Sequence, residues 1–190
     1  MKIQKLITRV DTTISKQKNY HINRLLNNMD RDLIKQYWQN FLDSLKEKGQ
    51  SFPDRYEAWH FCNDESSANS LAKLVYFGQK TATASLAWSY ETEGSPLPKA
   101  GDIGIITMWD GTPVCIIETT ECQVIPIEEV PSSFAYDEGE GDRSLEYWRK
   151  VHMECYSGDC AKIGKILNSR TPIVCEHFRV VYKETGLFSG

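Results

Sequence analysis

The sequence predicts an α+β domain: a small, partly open β-barrel flanked by helices, with an N-terminal helical extension. Three observations carry that prediction. Short apolar runs with turn signals between them, such as Ile103-Gly104-Ile105-Ile106-Thr107-Met108 and Val114-Cys115-Ile116-Ile117, read as strands. Leu33, Ile34, Tyr37, Trp38, Phe41, Leu42 and Leu45 recur at three- and four-residue intervals, the stripe of an amphipathic helix. No segment repeats itself, so neither a solenoid nor a propeller is indicated.

Taken in order, residues 1–29 are a polar, basic arm, with Lys2, Lys5, Arg9, Lys16, Lys18 and Arg24 set against Asp11. Ile3, Leu6 and Ile7 offer a short amphipathic turn. The arm reads as a lead-in, a free extension or a segment that binds a protein partner. Residues 30–190 form the single domain. Asp30 is placed to cap the striped helix, and Lys46, Lys48 and Gly49 to end it. An aromatic stripe of this kind is more often core than partner surface, and core is the reading taken.

Trp59-His60-Phe61 reads as strand or turn. Asn63-Asp64-Glu65-Ser66-Ser67 supplies capping chemistry for a second helix through Leu71, Leu74 and Val75, which Gly78 stops. Residues 94–98 are loop, and Lys99-Ala100-Gly101-Asp102 turns into the next strand. Asp110-Gly111 is a hairpin signal, with Val114–Ile117 as the return strand. Val124-Ile125-Pro126-Ile127 continues the sheet briefly, at an edge or a strand end because proline lacks the donor. Asp142 caps a helix marked by Leu145, Trp148, His152 and Cys155, and residues 173–182 form the last strand.

Composition narrows the function. At 190 residues the chain suits one domain with an extension. A net charge of −4 argues against non-specific coating of nucleic acid, which requires a basic surface, though a local basic groove remains compatible. The six cysteines form no CxxC pair, and no histidine pair has ligand spacing, so no metal or other cofactor is expected. Scattered thiols suit a reducing compartment. No apolar leader or run of about 20 apolar residues exists, so a cytoplasmic protein without membrane contact is expected.

Chemistry concentrates around Gly78-Gln79-Lys80-Thr81-Ala82-Thr83-Ala84-Ser85. A helix end delivers one lysine, and hydroxyls then recur at the period of a strand, on one face opposite Ala82 and Ala84. Small residues inside a strand imply that a ligand or another element approaches the backbone closely. An ammonium at such a place serves as a phosphate contact, a substrate clamp or, if desolvated, a base. The run lacks the upstream glycine and the length of a phosphate-cradling P-loop.

Gly78-x-Lys80-Thr81-x-Thr83 resembles the signature of the ASCH domain, a small relative of the PUA RNA-binding fold. Further blocks follow in the same order: Leu97-Pro98-Lys99-x-Gly101-Asp102, Pro113–Glu121, Glu138-Gly139-Glu140-Gly141-Asp142-Arg143-Ser144-Leu145 and Val174-Cys175-Glu176-x-Phe178-Arg179. The resemblance covers about residues 59–182. It implies a partly open barrel that holds RNA or a modified nucleoside or nucleotide in a cleft centred on Lys80. In the ASCH-like amidohydrolases acting on acetylated cytidine, a lysine, a threonine three residues later and a distant glutamate are catalytic. That implies Lys80, Thr83 and Glu140 here, with Glu138 as the alternative glutamate. Ribonuclease activity is the other hydrolytic reading, and the insertion at 156–168 and the N-terminal helix depart from the compact enzymes.

Around these three, Thr81, Ser85, Trp88, Glu118, Asp142, Arg143 and Tyr147 are the candidate ligand-binding residues. The hydroxyls line the strand face, and Trp88 and Tyr147 offer rings for a base to stack on. Arg143 carries a guanidinium suited to bidentate grips. Glu118 is expected near a sheet end, paired with Lys80 or Arg143. Asp142 sits at a helix start already crowded with carboxylates, which favours a base or an amine over a bare phosphate there.

Overall fold

A computed structural model describes residues 4–6, 20–51 and 53–188, with side chains from Arg31 onward. Six strands form one mixed sheet, curved into a half-barrel and flanked by helices. The strands are β1 (Gln4–Leu6), β2 (Glu57–His60), β3 (Ala82–Leu86), β4 (Ile103–Thr107), β5 (Pro113–Pro126) and β6 (Pro172–Tyr182). The helices are α1 (Tyr20–Glu47), α2 (Glu65–Tyr76), α3 (Ala87–Glu93), α4 (Ser132–Glu138) and α5 (Leu145–Lys162). Strand order is β1-β2-β4-β5-β6-β3. Only the β2–β4 pair is parallel, and α2, β3 and α3 lie between those two strands in sequence.

Helix α1 starts at Tyr20, well before the capping signal implied, so Asp30 lies inside it rather than at its end. Gln4–Leu6 pairs with β2 as an edge strand instead of a helical turn, and Ile3 and Ile7 lie outside the described residues. The apolar stripe of α1 packs through a narrow seam. Tyr37 and Phe41, one turn apart, are buried against Ala58, Ile105 and Ile116, whereas Leu33 is 51% exposed. Tyr37 also donates its hydroxyl to the Val114 carbonyl at 3.0 Å, which fixes the helix height on the sheet.

Strand β5 is the spine. Its fourteen residues pair with β4 on one side and β6 on the other, so the apolar runs at 114–117 and 124–126 belong to one strand with register shifts, and Ile127 begins a short 3-10 turn after it. Pro113 and Pro126 are its terminal residues, where a missing donor costs nothing in the ladder. Asp64 caps α2 by accepting from the Ser67 amide at 2.9 Å. For α5 the cap is Ser144, accepting from Tyr147 N. Asp142 instead accepts from Ser144 N at 2.8 Å and shapes the turn before the helix.

Two cores result. One lies between α2 and the sheet, with Trp59, Phe61, Val75, Ile106, Ile117 and Phe178. The other lies between α4, α5 and the β3–β6 pair, with Ala82, Ala84, Phe134, Trp148, Tyr156 and Ile173. Ala82 and Ala84 are wholly buried because the α4–α5 layer approaches β3 where larger side chains would not fit.

The docking of α1 yields a stability test by urea denaturation. Tyr37→Phe leaves the Val114 carbonyl without its buried donor and costs about 1–2 kcal/mol. Phe41→Ala empties the seam and costs about 3–5 kcal/mol. Equal, negligible losses would show that the helix is not docked in solution.

Candidate functional site

The end of α2 and the end of α4 meet over the start of β3. Gly78, in the left-handed region at φ 75°, ends the α2 segment, and Gln79 N and Lys80 N both donate to the Leu74 carbonyl. Gly139, at φ 72°, ends α4 in the same way. A Cβ on Gly139 would strike the Gln79 carbonyl, so only glycine lets these two ends come together. Gln79 Nε2 donates to the Gly139 carbonyl at 2.7 Å, and Thr81 N donates to the Asp137 carbonyl at 2.8 Å. The junction is stitched through backbone on both sides.

Lys80 projects into this junction and is wholly buried. Its Nζ donates to Glu138 Oε2 at 2.7 Å and Glu140 Oε1 at 2.6 Å, and lies 5.3 Å from the Phe61 ring centroid. Glu138, also wholly buried, accepts from Trp148 Nε1 on its other oxygen at 2.8 Å. The Glu140 side chain is 13% exposed, so it alone of the three reaches solvent. Burial pushes the Lys80 ammonium toward deprotonation, but the two carboxylates more than reverse this and hold it charged. Burial likewise pushes Glu138 up, and Lys80, His152 and the Trp148 donor together bring it below its ordinary value.

Of the three roles the sequence allows Lys80, the two carboxylates favour the charged contact or clamp over the neutral base. A cation between carboxylates can stabilise developing negative charge or hold an anionic or carbonyl oxygen. It cannot accept a proton.

Thr83 lies on β3 opposite Glu176 of β6, so the two share a face of the half-barrel. Its hydroxyl is buried and makes no hydrogen bond. Glu176 accepts from Thr119 Oγ1 at 2.6 Å. Both Thr119 and Glu176 line a cavity of about 120 Å³, with Trp59, Glu57, Arg55 and Pro98 among its other walls. Lys80, Thr83 and Glu140 do not line it. The expected single open pocket around those three is thus divided. A dry charged cluster lies at one end of the face and an open cavity at the other, with Thr83 beside Glu176 between them.

The remaining candidate residues scatter. Thr81 donates its hydroxyl to the Asp137 carbonyl at 3.3 Å, and Ser85 shares a hydrogen bond with Tyr90 at 3.0 Å. Trp88 is half-buried on α3 beneath the Lys165 ammonium. Glu118 pairs with Arg179 at 2.6 Å rather than with Lys80 or Arg143, because its register partner on β6 is Arg179. Arg143 lies 4.8 Å above the Tyr136 ring, and Tyr147 is 38% exposed on the first turn of α5.

Sequence reasoning missed His152. Its Nδ1 donates to the Trp148 carbonyl at 2.8 Å, its ring stacks on Trp148 at 4.1 Å, and its Nε2 lies 3.5 Å from Glu138 Oε1. Burial lowers its pKa, with the Glu138 carboxylate pulling the other way. The Trp148, His152, Tyr156 spacing of four was the available signal, since it puts all three on one helical face.

The ASCH domain profile matches residues 57–182. Among solved structures, the ASCH domain from Lactobacillus crispatus JV V101 is 37% identical with a TM-score of 0.68, covering 80% of this chain and 94% of its own. A protein from Enterococcus faecalis V583 is 31% identical with a TM-score of 0.71, covering 84% and 94%. No match was found among curated proteins.

Two measurements test this electrostatic arrangement. Glu138→Ala removes the counter-charge of a buried cation and the acceptor of Trp148, and lowers stability by about 3–5 kcal/mol. A smaller cost than for Glu140→Ala would contradict the assignment of Glu138 as the main anchor.

The second is the pH profile of stability. The pKa of His152 is lower folded than unfolded, so stability falls as pH drops through 6.5, its ordinary value. The depressed Glu138 extends the loss below 4.5, and the raised Lys80 adds a loss as pH climbs above 10.5. His152→Gln flattens the segment just below pH 6.5 and leaves the other two limbs.

Proposed function

The chain belongs to the ASCH domain family, and from that premise we propose that it binds RNA, or a modified nucleoside or nucleotide, in a cleft centred on Lys80 that opens when Glu140 moves aside. ASCH domains are generally associated with RNA binding. The observation that carries the reading is the dry ammonium of Lys80, fixed by Glu138 and screened from solvent by Glu140. A cation held so far from water interacts strongly with a ligand oxygen that displaces Glu140. Glu140 is then the gate, Thr83 the hydroxyl that contacts the ligand deeper in, and Asp142, Arg143 and Tyr147 the outer contacts. The cysteines form no disulfide among the described residues, which suits a cytoplasmic setting. Residues 1–29 are left as a site for a protein partner.

A hydrolase is the second reading, favoured by the unpartnered buried hydroxyl of Thr83 three residues from Lys80. With Lys80 charged, the roles shift. Glu140 takes the Thr83 hydroxyl proton as the oxygen adds to the amide carbon of an acetylated cytidine. Lys80 holds the oxyanion, and the proton passes to the leaving amine. Water then cleaves the acetyl-threonine ester, releasing acetate and restoring the hydroxyl.

Titrating labelled single-stranded RNA at low salt tests the first reading, and its failure to bind would sink it. Glu140→Gln separates the two. It tightens RNA binding severalfold if Glu140 is only a charged gate, whereas it lowers turnover by about 10²–10⁴-fold if Glu140 moves the proton. Incubation with acetylated cytidine and with RNA identifies the chemistry: acetate release marks the amidohydrolase, chain fragments the ribonuclease.

A further inference from the structure

The loop from Gly139 to Ser144 is built more tightly than an acidic surface loop requires. Gly139 is locked against Gln79, and a Cβ on Gly141 would strike the Tyr147 ring. Arg143 N donates to the Glu140 carbonyl at 2.9 Å, closing a turn. Within it Arg143 occupies the left-handed region at φ 63°, where a side chain with a Cβ is strained; Cys62 is the other non-glycine residue there among those described. Glycine would relieve the strain, yet arginine stands at the position. Strain of this kind persists where it aims a side chain.

Its result is a guanidinium 4.8 Å above the ring of Tyr136, itself 57% exposed. Tyr147, 38% exposed, lies against Gly141 two residues away. Arg143 makes no ion pair among the described residues, although Asp137, Glu140, Asp142 and Glu146 surround the loop in sequence. Two of these flat groups thus stack on each other and the third packs on the same loop, whose second residue is Glu140, the gate of the charged cluster. Aromatic rings and guanidinium planes are what unstacked bases pack against. The carboxylates nearby make the patch unfit to track a run of phosphates.

We infer that Tyr136, Arg143 and Tyr147 form a stacking platform for the bases of a short single-stranded RNA at the mouth of the cleft. The strand is held by its base faces and one phosphate at Arg143 rather than along its backbone. This rests on the RNA-binding reading above, and adds to it the mode of recognition.

The test uses the full chain and a fluorescent hexauridylate and hexaadenylate, titrated between 50 and 200 mM KCl. With a single phosphate neutralised, the affinity falls with a log–log slope near −0.7. Tyr136→Ala and Tyr147→Ala each weaken binding about tenfold, Tyr136→Trp retains it, and the adenylate binds more tightly than the uridylate because purines stack better. Phe77→Ala, at a 65% exposed ring elsewhere, leaves affinity unchanged.

Arg143→Gly gives opposite signs in two readouts. It weakens RNA binding while raising Tm by roughly 2–4 °C through relief of strain. Wild-type binding that is indifferent to all three platform variants overturns the inference and leaves the RNA-binding reading standing. So does a slope steeper than −2, or an Arg143→Gly protein with lower Tm and unchanged affinity. No binding by the wild type overturns both.

Discussion

A single buried ammonium organises the functional half of this molecule. Withdrawing Lys80 from water is unfavourable by several kcal/mol, and the fold offsets that only by bringing two carboxylates to within hydrogen-bonding distance. To do so it must join the end of α2, the end of α4, the loop that follows and, through the Trp148 indole, the first turns of α5. Each requirement constrains the next. The glycine at 139 exists because the chain must pass Gln79 without a side chain, and Glu138 can be buried because both its oxygens have donors.

Much of this was legible in advance, for identifiable reasons. The helical stripe, the Asp64 cap, the Asp110-Gly111 hairpin and the period-two run after Lys80 are local signals, and local physics settled them. The order of motif blocks gave the family. What escaped depends on distance in sequence. Nothing local says that Glu118 faces Arg179, because strand register decides it. Glu138 read as a loop residue because α4 is only seven residues long and lacks a side-chain cap. His152 looked isolated because its partner Glu138 comes from another helix.

The candidate site was half legible. Lysine and glutamate were expected to meet, but residue identity could not tell how many carboxylates would gather or whether the cluster would be dry. Two carboxylates rather than one change the chemistry, since together they favour the charged form of a candidate base. The open cavity near Trp59 and Glu176 was not foreseen at all. It lies where the 96–98 loop faces Gly104, a glycine against which Trp59 and Ile117 pack closely.

Sheet order also governs when this site comes into being. Among the described residues, strand β3, which carries Thr83 and begins beside Lys80, pairs with no strand but β6, its partner Glu176 lying more than ninety residues further along the chain. Contacts of such separation form slowly, because a long loop must close before any pairing compensates it. On a ribosome, α2 and the β4–β5 hairpin can assemble while β3 still lacks its neighbour, and β6, emerging after them, completes the pairing. A chain truncated before residue 172 would hold every charged group of the cluster and still have no strand against which to set them.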